Sequence, residues 1–156
     1  LRVLQKCRAE YDAAVAAGYD ARGVSAEIDS FFSDLPQRMA AADLVICRSG
    51  ASTVCELAVI GRPALMVPLP GAIDGDQAAN AAFLERAGGG WLIAETDLTP
   101  DGLAQRLTAL FTTAETLVEA AAAARAEGRP HAASALADFV TGLARAGAAE
   151  PALESV

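Results

Sequence analysis

Three small residues, Ser49, Gly50 and Ala51, follow a short apolar run and precede a predicted helix. The helix is predicted to begin near Ser52 or Thr53, so its free N–H groups and the positive end of its dipole would face outward at the carboxyl end of a strand. This position favours an anion, commonly a diphosphate, and small residues let a phosphate approach closely. The pattern fits an ordinary strand-to-helix turn with Thr53 as N-cap equally well, so both interpretations stay open.

Glu56 lies three residues after Thr53, which allows two roles. In the first, Thr53-x-x-Glu56 is a capping box, and the glutamate folds back onto the backbone N–H of the cap. In the second, the helix begins earlier, at Ser49 or Gly50. The carboxylate can then accept hydrogen bonds from vicinal hydroxyls, as acidic residues do with a nucleotide ribose. The spacing alone slightly favours the capping box.

A second polar group follows the next apolar run. Asp76 and Gln77 come after a loop that contains proline and glycine, at the start of the predicted helix Gln77–Ala87. A carboxylate beside a carboxamide offers acceptors and donors to adjacent sugar hydroxyls. Alternatively, Asp76 is only the N-cap of this helix. Asn80, one turn further on, would line the same site or be simply exposed.

These groups need a scaffold in which strands and helices alternate. Strands are predicted at Leu1–Cys7, Val24–Ile28, Leu44–Arg48, Ala64–Leu69 and Trp91–Ala94. Helices are predicted at Ala9–Ala17, Leu35–Ala42, Thr53–Ile60, Gln77–Ala87, Pro100–Phe111, Ala114–Glu127 and Ala132–Ala146, with Thr99 as the N-cap of the fifth. The alternation predicts an α/β fold, a Rossmann-like parallel sheet of about five strands with helices on both faces. Residues 49–53 and 76–77 would then share one carboxyl edge.

Composition narrows the classes of protein to which the chain can belong. Its 156 residues, 53% of them hydrophobic, suffice for one sizeable core, and the formal net charge of −8 argues against a nucleic-acid partner. The three cysteines, Cys7, Cys47 and Cys55, lie in apolar runs without metal-ligand spacing, which predicts buried thiols in a reducing cytoplasm. No clustered metal-ligand set is present, so no metal or other cofactor is expected. No apolar run is long enough for a membrane-spanning helix.

Several spaced motifs resemble a known family. They are Arg48-Ser49-Gly50-Ala51-x-Thr53-Val54-x-Glu56-Leu57, then Gly61-x-Pro63-Ala64, Val67-Pro68 and Asp74-x-Asp76-Gln77-x-x-Asn80-Ala81. In this order they resemble the donor-binding half of the MurG family, the peptidoglycan N-acetylglucosaminyltransferases of the two-domain GT-B architecture. The resemblance implies a UDP-sugar-binding C-terminal domain over residues 1–147, truncated at its N-terminus, and a frayed tail over 148–156.

The resemblance also implies roles for individual residues. Glu56 would hold the ribose hydroxyls, and the backbone around Phe32 would meet uracil. The remaining residues implied to bind the donor are Arg48, the diphosphate-binding run Ser49, Gly50, Ala51, Ser52 and Thr53, and the sugar-binding group Asp76, Gln77 and Asn80. Many relatives carry His or Gln where this chain has Asp76.

The implied reaction is an inverting transfer of N-acetylglucosamine from UDP-N-acetylglucosamine to lipid I, which gives lipid II. The catalytic base, the acceptor site and the surface that faces the membrane would belong to an acceptor domain outside this chain, so the isolated chain is expected to be inactive. His131, the only histidine, is predicted to be a surface turn residue. The complete enzyme would be cytoplasmic and peripheral to the inner membrane. An alternative is a nucleotide-sugar-binding module of a split glycosyltransferase with another acceptor.

Overall fold

The computed structural model describes the backbone of residues 1–148 and the side chains of these residues except those at 73 and 146–148. Apart from its first residue, the predicted tail over 148–156 therefore lies outside the described residues. The chain divides into two compact units, Leu1–Arg38 and a second unit that begins at Met39.

The first unit contains a pair of parallel strands. Strand β1, Arg2–Lys6, pairs along its whole length with β2, Ser25–Asp29. A short 3-10 turn and helix α1, Asp12–Asp20, connect the two strands. The helical crossover returns the chain to the edge where β1 began, which is what parallel pairing requires. Helix α2, Leu35–Ala41, begins in this unit.

The second unit contains a three-stranded parallel sheet in the order β3-β4-β5. Its strands are β3, Val45–Cys47, β4, Ala64–Met66, and β5, Gly90–Leu92. Its helices are α3, Ala51–Ile60, α4, Asp76–Arg86, α5, Pro100–Thr112, α6, Ala114–Ala126, and α7, Ala132–Ala148. Every residue of the central strand β4 is buried, which explains its uninterrupted apolar sequence.

The core of the second unit holds α3 and α4 firmly in place. Leu57 of α3, Met66 of β4 and Leu84 of α4 are each 0% exposed and belong to one hydrophobic cluster. Ala124 of α6 is part of the same cluster. Burial of each large side chain contributes about 1.5–3 kcal/mol. The starts of α3 and α4 are therefore anchored by packing further along each helix.

All five predicted strands and all seven predicted helices are present, with ends that differ from the predicted ones by a few residues. Thr99 is confirmed as the N-cap of α5, because its side-chain oxygen accepts a hydrogen bond from the Gly102 N–H at 3.1 Å. The predicted α/β fold with parallel strands is confirmed, but the prediction of one sheet of about five strands is wrong. The strands pair as a two-stranded and a three-stranded sheet. Local sequence predicts single strands, whereas pairing depends on where each crossover delivers the next strand.

The cysteine prediction is partly wrong. Cys7 and Cys47 are half-buried, but Cys55 is exposed. Cys55 directly follows the buried Val54 in α3, so the helical turn of about 100° per residue carries it from the core face to the solvent face. An apolar run does not reveal this change of face.

Side chains 132–145 of α7 are exposed. His131 is exposed in the turn that precedes this helix, as predicted. No helix within residues 1–148 is both long enough and apolar enough to cross a bilayer.

Candidate functional site

Two predicted binding segments meet at one edge of the three-stranded sheet. Strands β3 and β4 are parallel and end at Cys47 and Met66, so the segments that follow them emerge on the same side. The Ser49 hydroxyl donates a hydrogen bond to the backbone carbonyl of Gln77 at 2.8 Å. The predicted shared carboxyl edge is therefore confirmed.

Ser49 is the link between these two segments. Its side chain is 0% exposed, and its backbone carbonyl accepts a hydrogen bond from Asn80 Nδ2 at 3.1 Å. A buried hydroxyl needs a partner, and here the Gln77 carbonyl supplies it. The Ser49 side chain therefore ties the start of α3 to the first turn of α4. Its predicted contact with a diphosphate stays a prediction.

No side chain caps the first turn of helix α3. Its N-cap is Gly50, with extended backbone angles of φ −60° and ψ 150°, and a glycine has no side chain with which to cap the helix. The first intrahelical bond runs from the Val54 N–H to the Gly50 carbonyl at 3.0 Å. The N–H groups of Ala51, Ser52 and Thr53 precede that bond and mark the positive end of the helix. The helix therefore starts one residue before Ser52, the earlier of its two predicted starts, and the predicted N-cap role of Thr53 is wrong.

Glu56 is not part of a capping box. Because Gly50 is the N-cap, Thr53 is the third helical residue and Glu56 the sixth, about one and a half turns into α3. Glu56 is exposed, and its carboxylate makes no hydrogen bond or ion pair with any residue that the structure describes. The interpretation that spacing favoured was wrong because spacing does not show where the helix starts. The ribose role of Glu56 stays a prediction.

Asp76 and Gln77 occupy the first turn of α4. Asp76 is exposed and is the first helical residue, not the N-cap, which is Gly75 at φ 68°. Its Oδ1 accepts a hydrogen bond from the Gln77 N–H at 2.7 Å. The Gln77 side-chain Oε1 accepts from the Leu69 N–H at 3.0 Å and so holds the loop after β4. The Gln77 side-chain amino group makes no hydrogen bond within the residues that the structure describes. The sugar contacts of both residues stay predictions.

Arg48 connects the ends of all three strands in this sheet. Its Nη1 donates to the backbone carbonyls of Val67 and Pro68, both at 3.2 Å, just beyond the end of β4. The same nitrogen lies 2.6 Å from Glu95 Oε2, beyond the end of β5. Arg48 itself directly follows β3. Its predicted contact with the donor stays a prediction.

Phe32 belongs to the first unit. It is 9% exposed, and the Arg38 guanidinium carbon lies 4.6 Å from the centre of its ring. Arg38 is held by Asp34 at 2.6 Å and Glu27 at 2.8 Å, and the Arg38 hydrogen bond lowers the pKa of the Asp34 carboxyl below its usual value. The Phe32 ring is therefore covered by a guanidinium that two carboxylates hold in place. Its predicted contact with uracil stays a prediction.

Sequence reasoning did not identify Glu95. This residue pairs with Arg48 across 47 positions of sequence, and no local pattern marks such a partner. One signal was present: Glu95 follows a predicted strand, and the carboxyl ends of parallel strands meet at one edge. A charged residue that follows one strand could therefore have been predicted to lie near the charged residues that follow the neighbouring strands.

Cys47, directly before Arg48, provides a test of packing at this edge. Burial raises the pKa of its thiol from 9.0 to about 11. The folded state disfavours the thiolate, so the unfolded chain loses the thiol proton at a lower pH than the folded chain does. The free energy of unfolding is therefore unaffected by this group below about pH 9, and it falls by roughly 2–3 kcal/mol as the pH rises to about 11. At pH 8, iodoacetamide should modify the exposed Cys55 well before Cys47, as read by peptide mass spectrometry. Equal rates at the two residues would contradict the packing described.

Comparison with known proteins gives a family for this fold and site. The profile of the glycosyltransferase family 28 C-terminal domain matches residues 1–136. The match includes both segments at the sheet edge and both compact units up to the start of α7.

Curated relatives are similar over nearly the whole chain. A protein of Rhodospirillum rubrum named UDP-N-acetylglucosamine--N-acetylmuramyl-(pentapeptide) pyrophosphoryl-undecaprenol N-acetylglucosamine transferase is 55% identical over 92% of this chain. A protein of the same name from Methylobacterium sp. is 57% identical over 90% of the chain. The chain spans only 37% and 38% of the lengths of these two relatives.

A solved structure is similar in three dimensions. The crystal structure of Acinetobacter baumannii MurG matches with a TM-score of 0.85 at 33% identity, over 91% of this chain and 43% of that one. The resemblance inferred from the spaced motifs is thus confirmed by sequence and by structure. With the profile matched over residues 1–136, the chain belongs to the glycosyltransferase family 28 C-terminal domain family.

Proposed function

We propose that the chain is the donor-binding half of an inverting glycosyltransferase, which moves N-acetylglucosamine from UDP-N-acetylglucosamine to lipid I and so forms lipid II in peptidoglycan synthesis. The observation that carries the proposal is the meeting of two polar segments at one sheet edge, tied by the bond from Ser49 to the Gln77 carbonyl. Relatives at 55% and 57% identity bear the name of this activity. Only the donor side is assigned to this chain.

The diphosphate of the donor binds at the start of α3. The N–H groups of Ala51, Ser52 and Thr53 precede the first intrahelical bond, and Gly50 presents no side chain to block a phosphate. During transfer the acceptor C4 hydroxyl attacks the anomeric carbon, the bond from that carbon to the diphosphate breaks, and negative charge grows on the leaving UDP. Fixed N–H donors stabilise this charge without reorganisation during the reaction.

The sugar and ribose hydroxyls bind to side chains around this helix start. Glu56 is exposed and has no partner among the described residues, so its carboxylate is free to accept from both ribose hydroxyls. The Asp76 carboxylate and the Gln77 amino group bind hydroxyls of N-acetylglucosamine. Because Gln77 Oε1 already accepts from Leu69, this residue acts as a donor to the sugar.

The acceptor side lies in the part of the enzyme that these 156 residues do not cover. The relatives' printed name includes a pyrophosphoryl-undecaprenol, a lipid-linked group. An acceptor of this kind places the complete enzyme at a membrane surface, on the cytoplasmic face where UDP-sugars are found. The general base that takes the proton of the acceptor hydroxyl comes from the same part of the enzyme.

Calorimetric titration with UDP tests the donor-site proposal directly. The 156-residue chain should bind UDP, and N-acetylglucosamine attached to the diphosphate should increase the affinity through Asp76 and Gln77. GDP is the matched control, since it carries the same diphosphate and ribose on a different base. Absence of UDP binding by a chain whose circular dichroism shows it to be folded would contradict the proposal.

A further inference from the structure

One exposed ion pair joins all three strand ends of the second unit's sheet. The Arg48 guanidinium follows β3, donates to the carbonyls of Val67 and Pro68 after β4, and pairs at 2.6 Å with Glu95 after β5. The backbone of Arg48 directly precedes Ser49 and Gly50, where the proposed diphosphate site begins.

Stability does not account for this arrangement. The side chains of Arg48 and Glu95 are 48% and 43% exposed, and solvent screening leaves such pairs with little effect on folding. The sheet is already held by its own ladder, which continues beyond the strands through bonds from the Val67 N–H to the Cys47 carbonyl and from the Ile93 N–H to the Met66 carbonyl, both 2.9 Å. What the ion pair adds is a fixed direction for the arginine side chain.

We propose that Glu95 is a positioning residue of the donor site, acting through Arg48. Nη1 of Arg48 is occupied by Glu95 and the two carbonyls, whereas Nε and Nη2 make no hydrogen bond within the described residues. A guanidinium held through one nitrogen presents its remaining donors to an anion in a fixed orientation, which reduces the entropy lost on binding. The inference rests on the proposed function, because the anion is the donor diphosphate.

A double-mutant cycle in UDP affinity tests this proposal on the 156-residue chain. Glu95→Ala should weaken UDP binding by roughly threefold to fivefold, the factor equivalent to an exposed ion pair. Glu95→Gln should recover most of the affinity, because its amide oxygen still accepts the bond from Arg48. In an Arg48→Ala background, Glu95→Ala should have no further effect. Glu115→Ala, which removes an exposed glutamate from the first turn of α6, is the control and should bind as the wild type does.

The outcomes separate this inference from the function on which it rests. A folded wild-type chain without UDP affinity would overturn both. Wild-type binding with an unchanged affinity in Glu95→Ala would overturn the inference alone. The inference would also be overturned if Glu95→Ala weakened UDP binding by the same factor in the Arg48→Ala background as in the wild type. The same holds if Glu95→Gln weakened UDP binding as much as Glu95→Ala does. The melting temperature of each variant should stay at the wild-type value, which a merely structural role for Glu95 would not predict.

Discussion

Replacing Glu56 with glutamine is expected to weaken UDP binding by roughly 1.5–3 kcal/mol, or about tenfold to 150-fold, the range for hydrogen bonds to a charged group. Glu56 is exposed and lies about one and a half turns into α3, with no partner among the described residues. Its carboxylate can therefore accept from both ribose hydroxyls, whereas a carboxamide offers one acceptor oxygen. Calorimetric titration of the wild type and Glu56→Gln with UDP measures the difference.

The same substitution should leave folding almost unchanged. Glu56 caps nothing, since the N-cap of α3 is Gly50, so the free energy of unfolding should change by less than about 0.5 kcal/mol. Glu119→Gln is the matched control, because it neutralises an exposed glutamate on α6 and should alter neither stability nor UDP affinity. Equal UDP affinities in wild type and Glu56→Gln would remove Glu56 from the donor site.

The isolated 156-residue chain is expected not to transfer N-acetylglucosamine to lipid I. Transfer needs donor, acceptor and base held in line, and such positioning contributes up to about 7–11 kcal/mol. The chain spans only 37% of the length of its Rhodospirillum rubrum relative, and the proposed acceptor site and base lie outside it. The assay compares turnover of a lipid I analogue with labelled UDP-N-acetylglucosamine by this chain and by the Acinetobacter baumannii protein.

UDP binding by the same sample serves as the control for this assay. A chain that binds UDP but does not transfer the sugar separates donor recognition from catalysis. Clear turnover by the isolated chain would place the catalytic base within these 156 residues and would contradict the proposed division of the site.

The local elements of this protein could be predicted from its sequence. Apolar runs and helix-starting residues depend on neighbours a few positions away, so all five strands and all seven helices were predicted at nearly the observed positions. The N-cap at Thr99 was predicted for the same reason, since its partner Gly102 lies three residues further on. The motif order from Arg48 to Ala81 also sufficed to predict the family, whose profile matches residues 1–136.

Local spacing did not determine how the groups at the sheet edge are used. Thr53 and Glu56 have the spacing of a capping box, yet α3 starts at Ala51, before both of them. The helix buries Val54 and Leu57 in the core and leaves Glu56 exposed. Cys55 lies in an apolar run but on the solvent face of the same helix. These outcomes depend on which face of α3 the core covers.

Tertiary structure alone decided the long-range partners. Ser49 and Gln77 are 28 residues apart, and Arg48 and Glu95 are 47 apart. The three strand pairings, β1 with β2, β3 with β4 and β4 with β5, are likewise set by the path of each crossover. A hydrogen bond between distant residues forms only after the sheet has brought strand ends to one edge. The sequence therefore determined which groups are present and on which elements, and the folded chain decided which of them hold the scaffold and which remain free to bind a ligand.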